Sequence, residues 1–171
     1  MSDLITANTD SSDSDLHIFV DADACPVKEE VYRVARRCGI RVTLVANSEM
    51  AIPDEVWLDL RIVANWFDAA DDWIVEQTGH DDIVITVDIP LADRCLKKGS
   101  RVLGHKGREF THDNIGSALA TRAVMSHLRD MDEHHGGPSP FSKKDRSQFL
   151  QKMDQIIQSI RREREAEVVK R

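Results

Sequence analysis

The chain has 171 residues, 41% of them hydrophobic, and a formal net charge of −7. This length is enough for one domain with its own core. No apolar run approaches about 18 residues, so we predict no membrane-spanning helix and no membrane partner. Three cysteines without a CxxC pair argue against a disulfide framework or a zinc cluster, and they favour a reducing cytoplasm.

The charge is unevenly distributed along the chain. Residues 1–15 carry four acids and no bases, which predicts a disordered acidic leader. Residues 16–142 carry 14 Lys or Arg against 21 Asp or Glu, and residues 143–171 carry nine against five. We therefore predict a single domain over 16–160 and a charged C-terminal tail over 161–171. The acidic middle binds nucleic acid poorly unless metal ions and the basic tail offset its field.

The first predicted element is a short buried strand over 17–20, which runs into Asp21 and Asp23. Pro26 and the acids after it are signals for the start of a helix. Alternation places both carboxylates on one side of the chain, at the kind of strand end where open α/β sheets bind ligands. Because unpaired carboxylates repel each other, we predict a divalent cation beside them. The alternative for either residue is a simple helix N-cap.

A second acidic cluster follows a strand over 41–46 and a strand candidate over 60–63. Asp68, Asp71 and Asp72 are spaced i, i+3 and i+4 in a helix predicted over 68–79, so their side chains share one helical face. Asp68 makes a natural N-cap, whereas Asp71 lies beyond the cap. A functional role is therefore favoured more for Asp71 than for Asp72.

The apolar run over 83–87 predicts a central strand, and it ends at Asp88. A helix with a proline near its start follows, as it does after the first strand. If the two strands are neighbours, Asp21, Asp23 and Asp88 meet at one edge, and Asp93 in the following helix could reach it. Capping is again the alternative for Asp88.

The remaining chain predicts an edge strand over 101–103, a basic turn at 105–108, a helix over 113–131 and a last helix over 143–168. The basic turn indicates either a phosphate contact through Lys106 or a solvated loop. Arg122 shares the apolar stripe of its helix, so it must extend to solvent or find a carboxylate or phosphate. The segment 134–140, with its paired histidines and Gly-Gly-Pro run, is typical of a hinge-like connection.

Six segments in order resemble the YaiI/YqxD family of bacterial proteins: VDADACP, VTLVAN, FDAADDWIVE, DIVITVDIPLAD, NI-x₃-L-x₂-R and GGPSPFSKKDR. The resemblance covers residues 16–151. That family is similar to PIN-like domains, which have a parallel sheet flanked by helices and an acidic metal-binding cluster. The resemblance implies a three-layer α/β/α PIN-like fold with a mainly parallel sheet of about five strands in the order 3-2-1-4-5.

Carried over by position, the resemblance implies a set of site residues. The catalytic group would be Asp21, Asp23, Asp71 and Asp88, and Mg²⁺ or Mn²⁺ would be held by these four with Asp68 and Asp93. Substrate contacts are expected from Lys106, Asn114 and Arg122. The chain departs from the family at Asp72, where asparagine is usual, and at residues 104–107, where Asn-x-Arg-Gly is more common.

Three functions are compatible with these residues. The first is a metal-dependent nuclease acting on RNA, in which the ion activates water and neutralises the scissile phosphate. The second is a phosphatase of haloacid-dehalogenase type with Asp21 as nucleophile, assisted by Ser48 and by Lys97 or Lys98. The third is a non-catalytic RNA- or protein-binding module. Cys25 is interpreted as a packed residue rather than a nucleophile, and the sequence gives no indication of oligomeric state.

Overall fold

The structure is a computed structural model that describes residues 16–131 and 140–170. In chain order the elements of the described residues are β1 (His17–Asp21), α1 (Lys28–Cys38), β2 (Arg41–Ala46), β3 (Leu58–Ile62), α2 (Ala69–Gln77), β4 (Ile83–Ile85), α3 (Ile89–Lys97), β5 (Arg101–Leu103), β6 (Glu109–Phe110), α4 (Ile115–Met131) and α5 (Lys143–Val169). The predicted leader over 1–15 and nearly all of the hinge-like segment lie outside the described residues. No helix of the described ranges has both the length and the apolar character needed to cross a bilayer.

The sheet has six strands in the order β3-β2-β1-β4-β5-β6. The first five are parallel, and β6 runs antiparallel to β5. The predicted order 3-2-1-4-5 and the α/β class are therefore confirmed. The prediction that residues 101–103 form an edge strand was wrong, because β6 pairs with β5 and is itself the last strand on that side of the sheet. A two-residue strand is too short to leave a period-2 pattern in the sequence.

Each face of the sheet buries its own apolar cluster, as a three-layer α/β/α architecture requires. On one face, Ile18 and Val20 of β1 pack in a cluster that includes α1 and α5. On the other face, Phe19 and Val84 pack with α2, α3 and the first turns of α4. Beyond residue 119, α4 is exposed along its whole length.

The ends of the elements follow local sequence signals. Gly39 ends α1 at φ 68°, a left-handed conformation that glycine adopts without steric cost. Ser142 and Asp145 form a reciprocal capping box at the start of α5, which continues through much of the predicted tail to Val169. The strand predicted over 83–87 stops at Ile85, and the side chain of Thr86 just after it donates a hydrogen bond to Asp21.

Candidate functional site

Five carboxylates meet at the carboxyl edge of the parallel strands. Asp21 ends β1, Asp88 directly precedes α3, and the register pairs Asp21 with Val45 of β2 and Val20 with Ile85 of β4. A cavity of about 350 Å³ opens at this edge. We call it the acidic pocket, and its carboxylates are Asp21, Asp23, Asp68, Asp71 and Asp88. No Lys or Arg of the described ranges lines it.

A single buried hydroxyl connects two of these carboxylates. Thr86 is 0% exposed, and its Oγ1 donates a hydrogen bond of 3.0 Å to Oδ2 of Asp21. The same oxygen accepts a 3.0 Å hydrogen bond from the backbone N–H of Asp88. Thr86, 65 residues from Asp21 in sequence, thereby fixes the end of β1 to the segment that carries Asp88.

The other carboxylates are held by backbone groups and turns. Asp88 is the N-cap of α3, since its Oδ1 accepts from the N–H of Leu91 at 3.0 Å. Oδ2 of Asp23 accepts from the N–H of Asn47 at 3.3 Å, just after β2. Asp68 precedes α2 but does not cap it through its side chain, contrary to the sequence expectation. Its backbone is left-handed, with φ 64°, a conformation uncommon for residues other than glycine and concentrated at functional sites.

Proximity of the carboxylates shifts their protonation. Burial, together with the nearby charges of Asp88, Asp21 and Asp68, raises the pKa of Asp71 to about 7, against the lowering effect of Arg94. Burial also raises the pKa of Asp21, with contributions from Asp88 and Asp23, against the lowering effect of the Thr86 hydrogen bond. Full ionisation of the pocket is therefore unfavourable, and a bound cation would favour the charged carboxylates.

The donor set fits a hard divalent cation, because carboxylate oxygens are the ligands that Mg²⁺ and Mn²⁺ prefer. Within the described residues no three His, Cys, Asp or Glu side chains converge closely enough to hold one ion between them. Mg²⁺ does not need such a cage, since it keeps several waters and uses one or two carboxylates with substrate phosphates. The open, acid-lined shape of the pocket is compatible with that mode of binding.

Two predicted acids lie apart from the pocket. The carboxylate of Asp93, a predicted metal ligand, pairs with Lys97 of the same helix at 3.0 Å and is not part of the pocket lining. Asp72 pairs with Arg94 at 2.9 Å and faces a neighbouring hollow.

The three predicted substrate contacts also lie outside the acidic pocket. Arg122 is exposed on the outer part of α4. Lys106 lies in the β5–β6 turn, 3.9 Å from Asp145, and lines a separate cavity of about 450 Å³ against α5. Asn114 supports the start of α4, since its Nδ2 donates to the Glu109 carbonyl and its Oδ1 accepts from the Thr111 N–H, both at 2.9 Å.

The phosphatase alternative and a thiol nucleophile find little support in these positions. Lys97 is engaged with Asp93, Ser48 is exposed, and neither Lys97 nor Lys98 is part of the pocket lining. Cys25 is 5% exposed, and burial raises the pKa of its thiol to about 11. A thiol with that pKa stays protonated at neutral pH and is a poor nucleophile.

Sequence reasoning assigned no site role to several residues of the pocket. The polar and aromatic ones are Asn47, Asn65, Trp66 and Phe67. Thr86 is not part of the lining, but it holds Asp21 by a hydrogen bond and was missed as well. Trp66 and Phe67 immediately precede Asp68, and a pair of aromatic residues beside a run of acids was a usable signal. Thr86 carried a weaker one, as the single hydroxyl in an otherwise apolar strand.

Comparisons with known proteins agree with the resemblance seen in the sequence. Residues 19–159 match a family described as "Uncharacterized BCR, YaiI/YqxD family". A UPF0178 protein of Rhodospirillum centenum is 54% identical over 153 residues, covering 87% of this chain and 99% of the relative. A UPF0178 protein of Sphingopyxis alaskensis is 53% identical over 146 residues, covering 85% and 95%. No solved structure matches the chain.

Proposed function

The chain belongs to the YaiI/YqxD family, and we propose that it is a metal-dependent phosphodiesterase that cleaves RNA. One observation carries the proposal: five carboxylates surround one cavity at the carboxyl edge of a parallel sheet, with no described basic side chain in its lining. Repulsion within such a cluster is costly to maintain. A divalent cation removes that cost and, at the same time, provides a binding point for a phosphodiester.

Asp21, Asp23, Asp71 and Asp88 are proposed to bind Mg²⁺ or Mn²⁺, one or two of them directly and the others through water molecules on the ion, with Asp68 beside them. When bound, the ion would supply an activated water and would neutralise charge on the scissile phosphate. The protein's own contribution is to fix the carboxylates. The Thr86 hydroxyl orients Asp21, the N–H of Leu91 holds Asp88, and the N–H of Asn47 holds Asp23.

The proposal gives no catalytic part to the remaining predicted residues. Asp93 and Asp72 are neutralised by Lys97 and Arg94, and Asn114 is occupied in capping. Lys106 and Arg122 lie outside the pocket. RNA is proposed as the substrate, as in the nuclease hypothesis from the sequence, which rests mainly on the acidic cluster.

Calorimetric titration of the metal-stripped protein with Mn²⁺ and Mg²⁺ tests the proposal, followed by hydrolysis of RNA and DNA. We expect Asp21→Asn and Asp88→Asn to lose metal binding and cleavage, while both keep the fold. Asparagine at position 88 can still cap α3, and asparagine at position 21 keeps an oxygen that can accept from the Thr86 hydroxyl. Asp72→Asn is the matched control, since it removes a carboxylate of the same helix as Asp71 that is already paired.

Metal binding without turnover on any phosphodiester would instead indicate a non-catalytic module that keeps an ion for stability. Equal metal binding by the wild type and the Asp21→Asn and Asp88→Asn variants would contradict the proposal itself. Formation of a phospho-aspartyl adduct on Asp21 would favour the phosphatase alternative.

A further inference from the structure

Two consecutive aromatic side chains are exposed at the rim of the acidic pocket. Trp66 is 58% exposed and Phe67 is 89% exposed, and both line the pocket beside the carboxylates. Large aromatic residues gain most from burial, so an adjacent exposed pair is unexpected on a surface with no binding role. Among the described residues, neither ring takes part in the stacked or edge-on aromatic pairs.

The backbone fixes the pair in this position. The N–H of Ala69 donates to the carbonyl of Trp66 at 3.2 Å, and the N–H of Asp72 donates to the carbonyl of Asp68 at 2.8 Å. Asp68 belongs to both turns and adopts its left-handed conformation there. The segment that presents the aromatic rings therefore also carries a carboxylate of the acidic pocket, so the two features are placed by one structural unit.

Trp66 also borders a second cavity, which we call the side hollow. The side hollow measures about 360 Å³, and its lining includes Arg61, Trp73 and the apolar residues Ile62 and Val63. The guanidinium of Arg61 lies over the Trp73 ring, 5.5 Å from its centroid. Trp66 and Ala69 line both cavities, so a ligand that extends beyond the acidic pocket on this side meets two tryptophan rings and the Arg61 guanidinium. The same lining contains Asp72, which is paired with Arg94, and Glu76.

We infer that Trp66, Phe67 and the side hollow form a base-stacking subsite for single-stranded nucleic acid. A phosphodiester at the acidic pocket would place a neighbouring nucleotide against Trp66, where an unpaired base can stack on an aromatic face. The Arg61 guanidinium offers a further plane for stacking or a phosphate contact. Bases inside a duplex are already stacked and paired, so this surface discriminates against double strands.

The inference rests on the proposed function for the position of the phosphodiester, but the stacking residues are separate from the proposed metal ligands. The proposed cation, Arg61 and the polar rim favour nucleic acid over an apolar protein segment as the occupant. Trp66 borders both the carboxylates of the acidic pocket and the side hollow that contains Arg61. Asn47 and Asn65, which also line the acidic pocket, offer amide groups suited to base edges.

The test is fluorescence anisotropy with a labelled short single strand and its matched duplex, in Mn²⁺ and in EDTA, with the oligonucleotide checked to be intact. We expect the wild type to bind the single strand more tightly than the duplex. Trp66→Leu should weaken single-strand binding about tenfold or more, since stacking is lost while apolar area is kept. Trp66→Phe should retain most of the affinity.

Val56→Ala is the control. Val56 is 95% exposed and precedes the amino end of β3, whereas the acidic pocket lies at the carboxyl ends of the strands. No change in oligonucleotide affinity is expected for this variant. Equal affinity of the wild type and Trp66→Leu, equal affinity for duplex and single strand, or no binding by the wild type would overturn the inference. Unchanged oligonucleotide binding together with a protein partner lost in Trp66→Leu would assign the surface to protein docking instead.

Mn²⁺ calorimetry on the same variants separates this inference from the proposed function. Metal binding without Trp66-dependent oligonucleotide binding would remove the subsite and leave the metal site standing. Trp66-dependent binding in a protein that takes up no metal would support the subsite and contradict the proposed metal-dependent cleavage.

Discussion

On the sheet face covered by α1 and α5, buried charge meets counter-charge, whereas at the carboxyl edge five carboxylates share a pocket whose lining includes no described cation. Glu30 is only 6% exposed, and its Oε1 accepts a 2.6 Å hydrogen bond from Arg146 of α5. Arg161 donates to the carbonyl of Cys38 at the end of α1. Polar groups on this face therefore reinforce the attachment of α5 to the domain.

At the carboxyl edge, the hydrogen bonds hold like charges together instead of neutralising them. Thr86 keeps Asp21 in place beside Asp88, and burial keeps the pKa of both Asp21 and Asp71 raised. Repulsive or strained arrangements persist where the surrounding structure enforces them, and they concentrate at functional sites. The difference between the two regions indicates that the α5 face serves stability and the acidic pocket serves binding.

The strongest way to sharpen this comparison is one substitution made in both regions. Phe149 of α5 is 0% exposed, whereas Phe67 at the pocket is 89% exposed. Phe149→Ala should lower the free energy of unfolding by about 3–5 kcal/mol, because it leaves a cavity in the core. Phe67→Ala should change it by less than about 0.5 kcal/mol. Urea denaturation measures both, and similar losses for the two variants would contradict the division of roles.

A smaller effect is expected from Thr86→Val, which keeps the shape of the side chain and removes its hydroxyl. The N–H of Asp88 and the carboxylate of Asp21 each lose a partner, so we expect a loss of about 1–3 kcal/mol in stability. Because Thr86 orients a proposed ligand, Mn²⁺ affinity should fall roughly 10- to 100-fold.

Thr111→Val provides the matched control for Thr86→Val. The Thr111 hydroxyl accepts a 3.3 Å hydrogen bond from the N–H of Asn114 at the start of α4, and Thr111 is not part of the pocket lining. Calorimetry should therefore find a loss of stability without a loss of Mn²⁺ affinity. If Thr86→Val kept full affinity for Mn²⁺, Thr86 would have a purely structural role.

Most helices and strands were predictable because their signals are local, whereas the strand order came from the resemblance to PIN-like domains. Continuous β-branched runs predict buried parallel strands. Gly39 marks the end of α1 and Pro90 the start of α3 in the sequence itself. The acids at the ends of β1 and β4 could be placed at one edge, since parallel strands end on the same side of a sheet. The two residues of β6 carry no comparable pattern, so the true edge strand could not be predicted.

The finer structure of the site depends on long-range contacts that a linear pattern does not encode. The Thr86–Asp21 hydrogen bond joins residues 65 positions apart, and the left-handed turn at Asp68 replaces the expected cap. Asp93 is a different case. Its pairing with Lys97 is an i, i+4 contact within one helix, which the spacing could have revealed.

The smallest expected effect is a pH dependence that comes from the pocket alone. The pKa of Asp71 is about 7 in the folded protein and about 3.9 in an unfolded chain. Between these values the folded state retains a proton that the unfolded state releases. Its contribution to stability is therefore fully present below about pH 4 and is lost as the pH rises through about 7.

Urea denaturation of the metal-free protein across this range should show the loss. Because Asp71 is partly exposed, we expect it to be on the order of 1 kcal/mol. The Asp71→Asn variant should lack this part of the slope, while Asp72→Asn should keep it. Saturating Mn²⁺ at pH 7 should restore stability to the wild type, since an ion that binds only the folded state stabilises it by mass action. An unchanged slope in Asp71→Asn would mean that the repulsion in the acidic pocket is already relieved without a cation, and the contrast with the α5 face would then disappear.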